Sequence, residues 1–202
     1  MDMGSTITAV LFDFGGVIAE EGFFEGLLAI GRQNGFDPKA FFTVVESLIY
    51  ETGYLIGTAG EDEFWNAVRS RTGITGDDQS LREEILQRFV IRPDMLSAAD
   101  LLRARGMSVA MLSDQTNWLD EINGRTLLFR HFDRVFNSYH LHKSKRDASV
   151  FADVCSALSA FPDKTLFIDD NINHIMRASH QGLKTIHYVT KDDFNRQLQE
   201  YL

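Results

Sequence analysis

Five runs of apolar sequence rich in β-branched residues, at 7–12, 107–112, 134–136, 165–168 and 184–189, have the length and composition of buried strands. Amphipathic stretches of helical period lie between most of them. Residues 94–105 form one, opened by Pro93 and closed by Gly106, and residues 147–160 another. Strand alternating with helix implies right-handed crossovers, and so predicts an α/β fold around a doubly wound, Rossmann-like parallel sheet. Ligands of such sheets sit beyond the carboxyl ends of the strands, so the polar residues just after each run become the candidates for chemistry.

From about residue 19 to residue 91 the alternation stops. Only helical patterns occur there, near 22–33, 38–51, 61–72 and 79–90, separated by Gly-rich turns. The expected organisation is a core made of residues 1–18 and 92–202 with a small α-helical cap inserted at 19–91. Phe23, Phe24, Phe41, Phe42, Phe64 and Trp65 in that insertion have spacings suited to helix packing and are expected to form its core. Gly76-Asp77-Asp78 reads as a solvated turn and helix start.

At 202 residues and 44% apolar side chains the chain suffices for one packed domain with an insertion, which argues against disorder. Its formal charge of -9, with basic residues scattered, makes nucleic acid and anionic membrane poor partners. The lone Cys155 cannot form an internal disulfide, and a buried thiol in a reducing, cytoplasmic setting is expected. The first residues lack the basic start and apolar run of a signal peptide, and no window is apolar enough to span a membrane.

The first run ends Phe12-Asp13-Phe14-Gly15-Gly16, placing a carboxylate where a ligand would sit. The second ends Leu112-Ser113-Asp114, the third is followed by Lys143 and Lys145, and the fourth ends Ile168-Asp169-Asp170-Asn171. Each alone has an ordinary structural explanation, as a helix cap, a turn residue or a solvated lysine. Together, a carboxylate, a hydroxyl, a lysine and an acidic pair at successive strand ends would converge on one crevice.

In this order the segments resemble the four motifs of the haloacid dehalogenase superfamily: Phe12 to Val17, Leu112-Ser113, Lys145-Arg146-Asp147 leading to Val150-Phe151, and Ile168 to Asn171. Gly two places after the first Asp is similar to the sugar-phosphate (α-glucose-1-phosphate) phosphatase branch. The resemblance implies a magnesium-dependent phosphatase acting on a small phosphorylated metabolite, a sugar phosphate first of all, through an aspartyl phosphate on Asp13. It implies Mg2+ held by Asp13, the Gly15 carbonyl and Asp170, with Asp169 close by or acting through water. Ser113 and Lys145 would fix phosphoryl oxygens, and Asp114 and Gly16 would join them in binding substrate. Lys145 is preferred to Lys143 because it alone has the acidic residue two places later.

Four positions depart from the family pattern. Gly15 replaces the aspartate that usually protonates the leaving group; Glu20, Glu21 and Asp114 are candidate substitutes, none expected to compensate fully. Arg146 stands where Pro is usual, Asp114 where Asn is frequent, and His174 where Asp or Asn is frequent. His174 is expected to neighbour the metal rather than bind it, and His140 and His142 make at most a weak zinc pair. Two alternatives remain: a 2-haloacid dehalogenase, which the acidic pair at 169 and 170 argues against, and a catalytically impaired domain binding a phosphorylated metabolite or a protein. Gly15-Gly16 lacks the third glycine of a dinucleotide fingerprint. The cap is expected to close on the site through connections at 15–19 and 90–93.

Overall fold

The computed structural model describes residues 6–202, so the leader reading at residues 1–5 lies outside it. β1 (Ala9–Phe12), β2 (Ser108–Ser113), β3 (Arg134–Asn137), β4 (Thr165–Asp169) and β5 (Lys184–His187) form a parallel sheet in the order β3-β2-β1-β4-β5. The α/β, doubly wound class is as expected. Strand ends differ by one or two residues: β2 takes in Ser113, opposite Asn137, and β4 takes in Asp169, opposite His187. β1 pairs with both β2 and β4, so the chain runs outward from it in two directions and leaves a crevice at its carboxyl end.

Between β1 and β2 come α1 (Gly22–Gln33), α2 (Pro38–Glu51), α3 (Glu61–Thr72), α4 (Asp78–Leu86) and α5 (Pro93–Ala104). The later helices are α6 (Trp118–Thr126), α7 (Ser138–Leu141), α8 (Ser149–Ala157), α9 (Ile172–His180) and α10 (Lys191–Gln199). Alternation along the strands divides the core into two layers. Val10, Phe12, Val109, Met111, Leu166 and Ile168 join Met95 and Leu102 of α5 and Phe194 of α10 on one face. Leu11, Ala110, Leu112 and Phe167 join Val150, Phe151 and Val154 of α8 and Ile175 of α9 on the other. Cys155 is buried there, as expected, and burial raises its thiol pKa.

The helices of the insertion begin as their sequence dictates. Asp37 caps α2 by accepting from the Ala40 amide (2.7 Å), and Asp77 caps α4 by accepting from the Ser80 amide (2.9 Å). α4 ends at Leu86, short of residue 90, because Val90 accepts a hydrogen bond from the Glu20 amide (2.9 Å) and Arg92 donates its amide to Ile18 (2.8 Å). The two connections flanking the insertion thus run side by side as a hydrogen-bonded pair.

Three of the six aromatics expected in the insertion's core are there: Phe41, Phe64 and Trp65 are buried, with the Trp65 ring 6.1 Å from that of Trp118 in α6. The expectation fails for Phe24, which lies outside both cores and meets Phe42 edge to face at 4.8 Å, and in part for Phe23 and Phe42, which are half-buried at the core's margin. Neighbouring helix positions point about 100° apart, so Phe41 enters the core and Phe42 reaches only its margin. Among the described residues no helix is long and apolar enough to cross a membrane.

Candidate active site

At the carboxyl ends of β1 and β4, two carboxylates meet one buried ammonium. Lys145 Nζ lies 2.8 Å from Asp13 Oδ2 and 2.7 Å from Asp169 Oδ2. Lys145 and Asp169 are almost wholly shielded from solvent and Asp13 nearly so. Turn amides fix the acids: Phe14 donates to Asp13 Oδ1 (2.6 Å) and Asn171 to Asp169 Oδ1 (2.7 Å). Asp114 accepts from the Lys145 amide (2.9 Å), tying the end of β2 to the loop that carries the lysine. Lys143 lies outside, half-buried and bonded to Asp153 and Ser149.

Burial dominates the electrostatics. It raises the Asp13 pKa well above the carboxylate range, opposed by Lys145 and reinforced by Asp169 and Asp170. Asp169 also suffers burial, yet Lys145 and His174 hold its pKa below the usual value; His174 Nδ1 is 3.2 Å from Asp169 Oδ2. Asp170 is raised by burial and by Asp169. Three carboxylates therefore crowd one lysine, an arrangement that calls for a further cation.

Hard oxygen donors beside an excess of negative charge suit magnesium. The ligand atoms of Asp13, Asp169 and His174 lie within 4.8 Å of one another. Asp170 is not in that group: a Cβ on Gly16, whose φ is +76°, would come within 2.0 Å of Asp170 Oδ2, so only glycine leaves that carboxylate its place. Gly16 faces the far side of Asp170, and its carbonyl accepts from Arg92. Ser113 is buried, and its hydroxyl has no hydrogen-bond partner among the described residues. His140 pairs with Asp120 (2.7 Å) and His142 with the Ile56 carbonyl (2.8 Å), so the two do not form a joint site.

A pocket of about 280 Å³ opens above this centre, with Asp13, Gly15, Asp114, Lys145 and Asp170 on its floor. Of the three candidate substitutes for the missing acid, two line it: Asp114, which accepts from the Lys145 amide, and Glu21. Its Oε2 would lie 3.0 Å from a Cβ on Gly15, and burial followed by Asp170 pushes its pKa up to about 7. Glu20 is taken by Arg92 (2.9 Å). The wall residues Phe24, Phe42, Tyr50 and Trp118 were not read from sequence as ligand contacts. The doublets Phe23-Phe24 and Phe41-Phe42 carried the available signal, since one helix face cannot absorb both members.

Residues 7–181 match the family of haloacid dehalogenase-like hydrolases. The chain belongs to that family. Among curated relatives it is 28% identical over 158 residues to a drimenol cyclase of Aspergillus calidoustus, covering 74% of this chain and 28% of the relative. It is 29% identical over 106 residues to bifunctional epoxide hydrolase 2 of Rattus norvegicus, covering 49% and 19% respectively. The chain thus spans about a quarter or less of the length of these two proteins.

Solved structures share the haloacid dehalogenase-like fold over nearly the whole chain. A HAD-like family hydrolase from Porphyromonas gingivalis superposes with a TM-score of 0.78 at 22% identity, covering 96% of this chain and 97% of that one. A HAD family enzyme from Bacteroides thetaiotaomicron, in complex with magnesium and inorganic phosphate, gives 0.71 at 21%, covering 95% and 98%. The L-2-haloacid dehalogenase of Xanthobacter autotrophicus, with chloropropionic acid covalently bound, gives 0.67 at 19%, covering 96% and 83%.

Proposed function

We propose that this hydrolase is a magnesium-dependent phosphatase that attacks a small phosphorylated metabolite with Asp13. The crowding of Asp13, Asp169 and Asp170 around Lys145 carries the reading. Dehalogenation at carbon has no need of a second cation, whereas phosphoryl transfer brings more negative charge into the site and does. The magnesium and phosphate bound by the Bacteroides thetaiotaomicron enzyme support the same chemistry.

Asp13, the Gly15 carbonyl and Asp170 would hold the ion, with Asp169 acting directly or through water. Bound there, magnesium would offset the charge of the phosphoryl oxygens and let Asp13 ionise despite its burial. One Asp13 oxygen attacks phosphorus, the P–O bond to the alcohol breaks, and the phosphoryl group passes to the carboxylate. Lys145 and the Ser113 hydroxyl hold the equatorial oxygens, flanked by Asp114. Glu21 gives its proton to the departing alkoxide, then takes one from the water that cleaves the aspartyl phosphate. Its carboxyl fills the space that a side chain at Gly15 would occupy, so the proton shuttle comes from α1's N-terminal boundary.

Helices α1–α4 act in this reading as a cap, residues 19–91, over a core comprising the rest of the chain. A small-molecule substrate and a cytoplasmic setting go with it, the latter suited to the buried thiol of Cys155. The test is a screen of phosphorylated metabolites with magnesium, run beside Asp13→Asn. Phosphate release abolished by chelator and by the substitution is expected. Cleavage of a 2-haloacid persisting in chelator would favour the dehalogenase.

A further inference from the structure

We propose that the alcohol half of the substrate is apolar and uncharged: the pocket fits the monophosphate of an aryl-bearing or branched hydrocarbon alcohol, in place of a sugar phosphate. This rests on the phosphatase reading and specifies which leaving group that site accepts.

Facing the charged floor, the pocket wall is made by Phe23, Phe24, Phe42, Tyr50, Leu55 and Trp118. These come from α1, α2, the turn at Tyr54–Ile56 and α6, so the apolar surface surrounds the space that the leaving group must cross. Phe24 packs on Phe42 outside both cores, and Phe42 reaches only the margin of one; both are half-buried, so each keeps ring surface free to meet a ligand.

On the wall, polar partners for a sugar are few beside the aromatic rings. The Thr116 hydroxyl accepts from the Trp118 amide (3.2 Å), and its carbonyl accepts from Asn137 (2.9 Å). Gln115, Glu46 and the Tyr50 hydroxyl remain on the wall, with Asn171 and His174 beside the Asp169–Asp170 pair. A hexose would bring several hydroxyls, and each one left unpaired on burial loses its hydration with nothing in return. A second anionic group fares no better. Glu21, Glu46, Asp114, Asp13 and Asp170 line the pocket, and Lys145 alone among the described lining residues is an obligate cation, already shared by two carboxylates. Its volume, about 280 Å³, sits at the small end of ligand pockets, roughly 300–1,000 Å³.

The experiment compares kcat/KM, in magnesium, for phenethyl phosphate, a hexose phosphate esterified at its primary carbon, and acetyl phosphate. The first two leave as primary alkoxides, so leaving-group acidity does not separate them. Phenethyl phosphate is expected to exceed the hexose phosphate by about tenfold or more, the scale at which an apolar pocket discriminates. Phe42→Ser and Phe24→Ser should each shrink that ratio, and Phe42→Leu should preserve it. A hexose phosphate turned over as well as phenethyl phosphate, or a ratio unmoved in the folded serine variants, overturns the proposal. Turnover of acetyl phosphate with no such preference removes the apolar leaving group alone; failure on all three removes the phosphatase reading with it.

Discussion

Glu21 lays its carboxyl against Gly15, with Oε2 3.0 Å from where a Cβ on that glycine would stand. An acidic group thus occupies the place left open by the family's missing aspartate, reached from eight positions beyond Asp13 instead of two. Glu21→Gln is expected to lower turnover on alkyl phosphates by about 10²-fold or more, and far less on aryl phosphates, whose leaving groups need little protonation. Gly15→Asp would have to displace Glu21, so its gain on alkyl phosphates should appear only in a Glu21→Ala background, which clears that space. Steady-state kinetics on paired substrates checks both.

The same residue makes stability depend on pH. Its pKa rises from an ordinary 4.5 to about 7, so between those values the folded chain holds a proton that the unfolded chain has lost. Stability from this group is full below pH 4.5 and falls as pH climbs through 7, by on the order of 3 kcal/mol. In chelator, Glu21→Gln should therefore melt above the parent at pH 8 and close to it at pH 5. Melting curves at the two pH values decide this.

Lys145 separates two buried acids, 2.8 Å from Asp13 and 2.7 Å from Asp169. Lys145→Met leaves both uncompensated and is expected to cost about 3–5 kcal/mol in denaturant unfolding. Adding Asp169→Asn should recover part of that loss, because one of the stranded charges disappears.

Gly16→Ala would drive a Cβ to within 2.0 Å of Asp170 Oδ2 from a backbone of φ +76°. The carboxylate has to move, so the magnesium concentration for half-maximal activity should rise at least about tenfold, beyond the strain of about 1–2 kcal/mol. Titration of activity with magnesium measures it.

The sheet was legible because buried parallel strands announce themselves as apolar runs, and Asp13, Lys145 and Asp169 follow three of them. The helices at 22–33, 38–51 and 61–72 were equally clear, their ends marked by Pro38 and by Gly73. What stayed hidden depended on direction. Whether Glu20 or Glu21 turns inward is decided by the bond of Glu20 to Arg92, 72 positions away. Whether Phe41 or Phe42 faces the pocket depends on where α2 meets its neighbours, which periodicity alone does not fix.

The most direct test of Asp13 as nucleophile is mass analysis of the chain quenched in acid during turnover with magnesium and an aryl phosphate. One added phosphoryl group, mapping to the peptide that contains Asp13 and absent from Asp13→Asn or in chelator, is the predicted result. Phosphate release that continues in Asp13→Asn, or a phosphoryl group carried elsewhere, would contradict it.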